Sequence, residues 1–125
     1  MTTIDERPVK QPGHDHPITI APTGRRIAVT VAGQVVASSE RTLTLSEAGY
    51  APIHYFPSDD VDVAFLEPTE HTSWCPYKGE ANYYSVPIGG ERSINAVWQY
   101  REVLPAVRPI AGYLAFYASR VDAID

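Results

Sequence analysis

The chain has one cysteine, one methionine and two lysines in 125 residues. A lone Cys75 excludes an intrachain disulfide and any zinc site built from cysteines alone. No run of eighteen apolar residues occurs and residues 1–17 are polar, so neither a membrane span nor a signal peptide is expected. Positive charge is scarce and dispersed. Ten Lys and Arg oppose fifteen Asp and Glu, giving a net charge of −5, and the basic residues stand singly apart from Arg25 and Arg26. Phosphate backbones are bound by clustered cations, so no nucleic-acid partner is expected, and a cytoplasmic protein is the default. Lys10 lies in the N-terminal segment, which leaves Lys78 as the sole lysine of the body. No internal repeat is visible.

What remains is an ordinary composition, 44% hydrophobic and 20% charged, in a chain of one-domain length. Residues 1–22 hold Pro8, Pro12, Pro17 and Pro22 with little apolar content and read as an N-terminal arm, flexible or adding an edge strand at 18–20. Residues 23–125 read as a single domain. There the apolar period is two: Ile27, Val29 and Val31, a turn at Gly33, then Val35 and Ala37, as in a β-hairpin. Further strands are expected at Leu43 and Leu45, at 53–56, and at Val61, Val63 and Phe65 after a turn at 57–60. Gly89-Gly90 is expected to turn a second hairpin between strands 82–88 and 93–100. Residues 111–117 fit a strand or a helix, and Gly112 with two tyrosines favours the strand. The fold class expected is all-β: a small antiparallel sheet, or barrel-like, with short helical turns.

Residues 67–79 break this pattern. Thirteen residues without clean periodicity read as a long loop, and Trp74, Cys75 and Tyr77 mark it as ordered and packed. The run His-Thr-x-x-Cys-Pro-Tyr-Lys-Gly at 71–79, with Ile-Ala-Gly-Tyr-Leu-Ala-Phe-Tyr at 110–117, resembles the bacterial domain of unknown function 427, catalogued as nucleotidyltransferase-like. The resemblance covers about residues 25 to 122. It implies a small all-β domain similar to the β-tent folds, whose zinc-binding members use four cysteines that this chain lacks.

The residues themselves give little support to nucleotidyl transfer. That chemistry uses carboxylates on magnesium and a glycine-rich or basic phosphate cradle. Asp59, Asp60 and Asp62 form the one acidic cluster, which reads as a solvated turn. Glu67, His71 and Cys75, spaced by four, could make a cysteine nucleophile with its base and orienting acid. The plainer reading is a small buried thiol, a backbone-bonded histidine and a surface glutamate. No metal is expected, since His71 and Cys75 are two ligands and His14 and His16 belong to the arm; no cofactor is expected either. Lys78 could hold an anionic group as a point charge, or only pair with Glu67, Glu70 or Glu80 at the surface. Tyr55, Trp74, Tyr77 and Tyr83, with Trp98, Tyr100 and Tyr117 further on, could wall a pocket or simply fill the core.

Three functional readings follow. One is a module that binds a small molecule, anionic if Lys78 serves it, at the 67–79 loop through Tyr55, His71, Trp74, Tyr77, Lys78 and Tyr83. Another is a protein interaction or assembly domain, homo-oligomeric or not, favoured by an exposed Trp74 or Trp98. The third is an enzyme of unassigned reaction using His71, Cys75, Lys78 or Glu67.

Overall fold

Strong apolar alternation makes Ile27–Val31 a strand buried at every second residue, with Ile27, Val29 and Val31 almost wholly inside. Burying one such side chain is worth about 1.5–3 kcal/mol, so this stripe alone fixes the strand's register. The computed structural model describes residues 7–125; the first six positions of the expected N-terminal arm lie outside the described residues. Ten strands are present: β1 (Ile18–Pro22), β2 (Ile27–Val31), β3 (Gln34–Ser39), β4 (Leu43–Glu47), β5 (Ile53–Tyr55), β6 (Glu67–Cys75), β7 (Gly79–Ser85), β8 (Val97–Gln99), β9 (Leu114–Phe116) and β10 (Ala123–Ile124). They pair antiparallel in three sheets ordered β1-β4-β5, β10-β2-β3 and β6-β7-β8-β9, joined by short 3-10 turns. The fold is all-β, as the sequence pattern led us to expect, and among the described residues no sheet closes into a barrel. No described helix is long and apolar enough to cross a membrane.

The four-stranded sheet is central because both of its faces are buried. Side chains alternate across a strand, so Val97, Leu114 and Phe116 enter one core with β2 and β3, while Trp98 and Ala115 enter a second with Leu45 and Tyr55. The β5 chain obeys the same rule, sending Tyr55 to the second core and the next residue, Phe56, to the first. The β1-β4-β5 sheet therefore lies over the aromatic face of the central sheet, and β1 takes its edge. β2 and β3 are joined by Ala32 and Gly33, both at positive φ (49° and 77°), the backbone a two-residue hairpin turn requires.

Three expectations need correction. Residues 67–79 are not a loop but the β6–β7 hairpin with its turn at 76–78. β6 is an edge strand, exposed over most of its length, so it carries no apolar alternation and tolerates Pro68. Val63–Phe65 is a 3-10 turn rather than a strand, because the Asp62 carboxylate accepts the Ala64 N–H (3.3 Å) and offers the backbone a local partner. Val61 keeps a single bridge to Ala37. The strands either side of Gly89-Gly90 do pair, Tyr83 with Trp98, but the first runs from 79 to 85 rather than 82 to 88, the second covers only 97–99, and a Pro87–Ser93 turn connects them. Pro87 has no N–H to give a ladder, which ends the first strand early. The 111–117 segment is strand at β9, as favoured.

Candidate functional site

Odd-numbered positions near the end of β6 point toward the second core. Ser73 and Cys75, paired with Ala81 and Gly79, form the near wall of a cavity of about 600 Å³ between the β4–β5 sheet and the central sheet. Its floor is aromatic. The Trp98 indole N–H donates to the Tyr55 hydroxyl (3.3 Å), with the rings edge to face at 6.2 Å. Ser73, Tyr83 and Tyr117 link their hydroxyls in a row at 2.8 and 3.3 Å. Burial, reinforced by the Tyr83 hydrogen bond, pushes the Tyr117 hydroxyl up to about 12. Burial likewise raises Tyr55 and Tyr100 far above the ordinary phenol range, so these three phenols stay neutral at physiological pH. Tyr100 is only 6% exposed, and its hydroxyl has no hydrogen-bond partner among the described residues.

At the mouth sits an ion pair. Lys78 Nζ lies 2.5 Å from Glu47 Oε1, and the other carboxylate oxygen is 2.7 Å from His16 Nε2. The His16 ring stacks flat on Tyr77, with centroids 3.9 Å apart. Burial alone would raise the Glu47 carboxyl, but the hydrogen bonds from Lys78 and His16 outweigh it and hold the group below its ordinary value. Lys78 is 8% exposed, and its partner is Glu47 rather than Glu67, Glu70 or Glu80.

The sequence-derived candidates separate into groups. Tyr55, Cys75, Tyr77, Lys78 and Tyr83 line the one cavity. His71 does not. Between Pro68 and Thr72 the ladder slips, four residues of β6 spanning two of β7, and His71 falls beside this irregularity with its ring against Tyr83 at 4.4 Å. It lines a neighbouring cavity of about 540 Å³ with Asn95, Tyr117 and Arg120, the Tyr83 and Tyr117 hydroxyls forming the wall between the two. Trp74 faces the opposite side, where the Arg7 guanidinium covers its ring at 3.9 Å and its N–H donates to the Pro8 carbonyl (2.7 Å). Glu67 is exposed and lines none of these cavities. Cys75 and His71, four strand residues apart, stand roughly 13 Å from one another along the chain, so the Glu67–His71–Cys75 arrangement is not assembled. Asp60 is engaged by Arg41 (3.0 Å) and Ser39, and Asp62 by its own turn. Among the described residues no three His, Cys, Asp or Glu side chains gather as a metal site.

Sequence reasoning gives Glu47 and Ser73 no role, whereas Trp98, Tyr100 and Tyr117, expected as pocket wall or core, do line the cavity. His16 was assigned to the arm, and only its stacking on Tyr77 across the fold brings it in. Glu47 did leave a signal, since it continues the Leu43, Leu45 face by period two and an acid there must meet a cation. A family model described as Domain of unknown function (DUF427) matches residues 19–125. In addition, 48 residues, 38% of the chain, are 44% identical to the bifunctional uridylyltransferase/uridylyl-removing enzyme of Erythrobacter litoralis (strain HTCC2594). The chain matches 5% of that relative's length.

Proposed function

This chain belongs to the DUF427 family, and we propose that it binds a small, flat, ring-bearing molecule in the aromatic cavity between β4–β5 and the central sheet. The Tyr100 hydroxyl carries this reading. It makes no hydrogen bond among the described residues and is not sealed off from the cavity's solvent, so it is free to donate to a ligand acceptor there. A volume of about 600 Å³ suits a small molecule, and tyrosine and tryptophan faces favour a planar ring. At the mouth Lys78 is already neutralised by Glu47. An anion at this end would have to displace Glu47, so the pair suits a neutral polar edge such as an amide or carbonyl.

The two tryptophans favour a ligand site over a protein interface, since Trp98 is buried and Trp74 lies under Arg7. Cys75 and His71, apart from one another, give an acyl-transfer type of chemistry no support. The relative's name refers to uridylyl groups, and a pyrimidine is a flat ring with a polar edge, which recommends nucleobases and nucleosides as the first compounds to try. A thermal-shift screen of neutral heterocycles tests the proposal. A ligand at a hundred times its Kd stabilises by about 2.7 kcal/mol, which raises Tm by about 10 °C at this chain length. Tyr100→Phe should melt at or above the parent temperature without ligand and lose most of the ligand-induced shift. A shift equal in both proteins, or none with any heterocycle at millimolar concentration, would refute it.

A further inference from the structure

The cavity beside the aromatic one is lined by groups that donate hydrogen bonds, and no carboxylate lines it. Arg120 gives one N–H to the Ile94 carbonyl (3.2 Å) and has no acidic partner among the described residues, whereas the nearby Arg92 reaches Asp122 at 3.8 Å. The ring nitrogens of His71 have no hydrogen-bond partner there either; only its backbone N–H is engaged, by Thr69. Asn95 accepts from Thr69 through Oδ1 (2.7 Å), which leaves its amide N–H groups free to donate. Its backbone, at φ 54°, is pinned by an N–H bond to Ser85 Oγ (3.0 Å). Ser119 adds a hydroxyl with no partner. Arg120, His71 and Ser119 are exposed, so their donors meet only solvent when the cavity is empty and are available to an anion that enters it.

We infer that this second cavity binds a phosphate monoester group, and that the protein's ligand is a ring-bearing phosphomonoester of the nucleoside monophosphate type. Its ring would lie in the aromatic cavity and its phosphate on Arg120, His71 and Asn95. The inference rests on the cavity reading above and adds to it the chemistry of the ligand's other end. Tyr83 and Tyr117 line both cavities, so the two lie side by side, and the two-part ligand would span this hydroxyl pair. Donors from four side chains exceed what the two oxygens of a carboxylate can use, and match a phosphate with three terminal oxygens. The anion expected at Lys78 is placed instead at Arg120, which faces this cavity with no acidic partner among the described residues.

Amide and side-chain NMR titrations separate the two ends. The probes are inorganic phosphate, benzoate, and the four common ribonucleosides with their 5′-monophosphates, added to wild type and to Arg120→Gln. Phosphate alone should shift His71 and Asn95 signals. The best nucleotide should bind at least tenfold more tightly than its nucleoside in wild type, and Arg120→Gln should erase that advantage while leaving the nucleoside's affinity unchanged. Unchanged melting verifies that Arg120→Gln folds, and His71→Gln, also at an exposed position, should lose part of the same advantage. Phosphate that leaves His71 and Asn95 unmoved, or an advantage that survives in Arg120→Gln, overturns the anion site. Benzoate gaining as much from Arg120 as the nucleotides do overturns the phosphate class. Nucleosides and nucleotides that leave Trp98 unmoved, while phosphate still shifts His71 and Asn95, overturn the aromatic-cavity reading and with it the two-part ligand.

Discussion

Replacing Lys78 by methionine keeps the length of the side chain and removes its charge, leaving the Glu47 carboxylate with His16 alone. At 2.5 Å and an effective dielectric near 20, the gross attraction between the two charges is about 7 kcal/mol. Desolvation offsets much of it, because the two side chains are only 10% and 14% exposed. Removing one partner of such a pair costs about 3 kcal/mol, where an exposed pair would cost less than 1. At about 0.26 kcal/mol per degree for a chain this long, Tm should fall by about 11 °C at pH 7. The loss should depend on pH in a set direction. Glu47 is held below its ordinary value of 4.5, so the pair contributes in full above that pH and is lost as pH falls through the depressed folded value. The gap between Lys78→Met and wild type should therefore narrow below about pH 4. Glu47→Leu combined with Lys78→Met should recover most of the loss, since no charge is then stranded. The assay is thermal unfolding of the three proteins from pH 7 to 3.5. A single-variant shift under about 3 °C at pH 7, or a gap constant across the range, refutes the reasoning and returns Lys78 to the role of a free cation.

Cys75 is half-buried on the cavity wall, so iodoacetamide should label it in the native protein at rates unaffected by sub-denaturing urea, and a bound ring compound should slow the labelling at least fivefold; labelling that requires unfolding contradicts this placement. Gly89→Ala should destabilise by about 2–3 kcal/mol, measured by thermal melting, because its Cβ would lie against Ser93 Oγ and 2.8 Å from a Val31 methyl; Gly49→Ala, where nothing lies within 4 Å and φ is not positive, is its control for packing. Burial lowers the His54 pKa from 6.5, so the folded state resists its protonation and stability should decline as pH falls below 6.5; His54→Gln should flatten that part of the profile, and an unchanged slope would exclude His54 as its source.

Period-two alternation made β2, β4 and β5 legible, because each buries one face and the buried residues are aliphatic or aromatic, whereas in β3 the expected Val35 is exposed and Val36 and Ala37 are buried in succession, where the ladder shifts register opposite Val29 and Thr30. β6 was illegible for the opposite reason. As an exposed edge strand it buries little, so nothing in its side chains records the ladder that its backbone makes with β7. The cavity was legible in its local half, since Cys75, Tyr77 and Lys78 sit on one hairpin end. Its aromatic wall was legible as residues for a pocket or the core, and the ion pair at its mouth was not. His16 and Glu47 meet Lys78 only after the β1-β4-β5 sheet has folded over the hairpin, and a contact between residues 31 apart leaves no mark in spacing. His71 was singled out by its neighbours in sequence and then sent to a second cavity by a slip in strand register that side-chain pattern does not encode.

The two tryptophans make the cavity directly observable, because one indole N–H is inside it and the other is on the far side of the hairpin. Trp98 donates to Tyr55 on the cavity floor, while Trp74 donates to the Pro8 carbonyl beneath Arg7. In a 1H–15N spectrum each gives a separate indole signal. During titration with the flat heterocycles of the thermal-shift screen, the Trp98 signal should move in a saturable, dose-dependent way and the Trp74 signal should stay in place. If no compound moves Trp98, or if Trp74 moves with it or instead of it, the aromatic cavity is not the binding site.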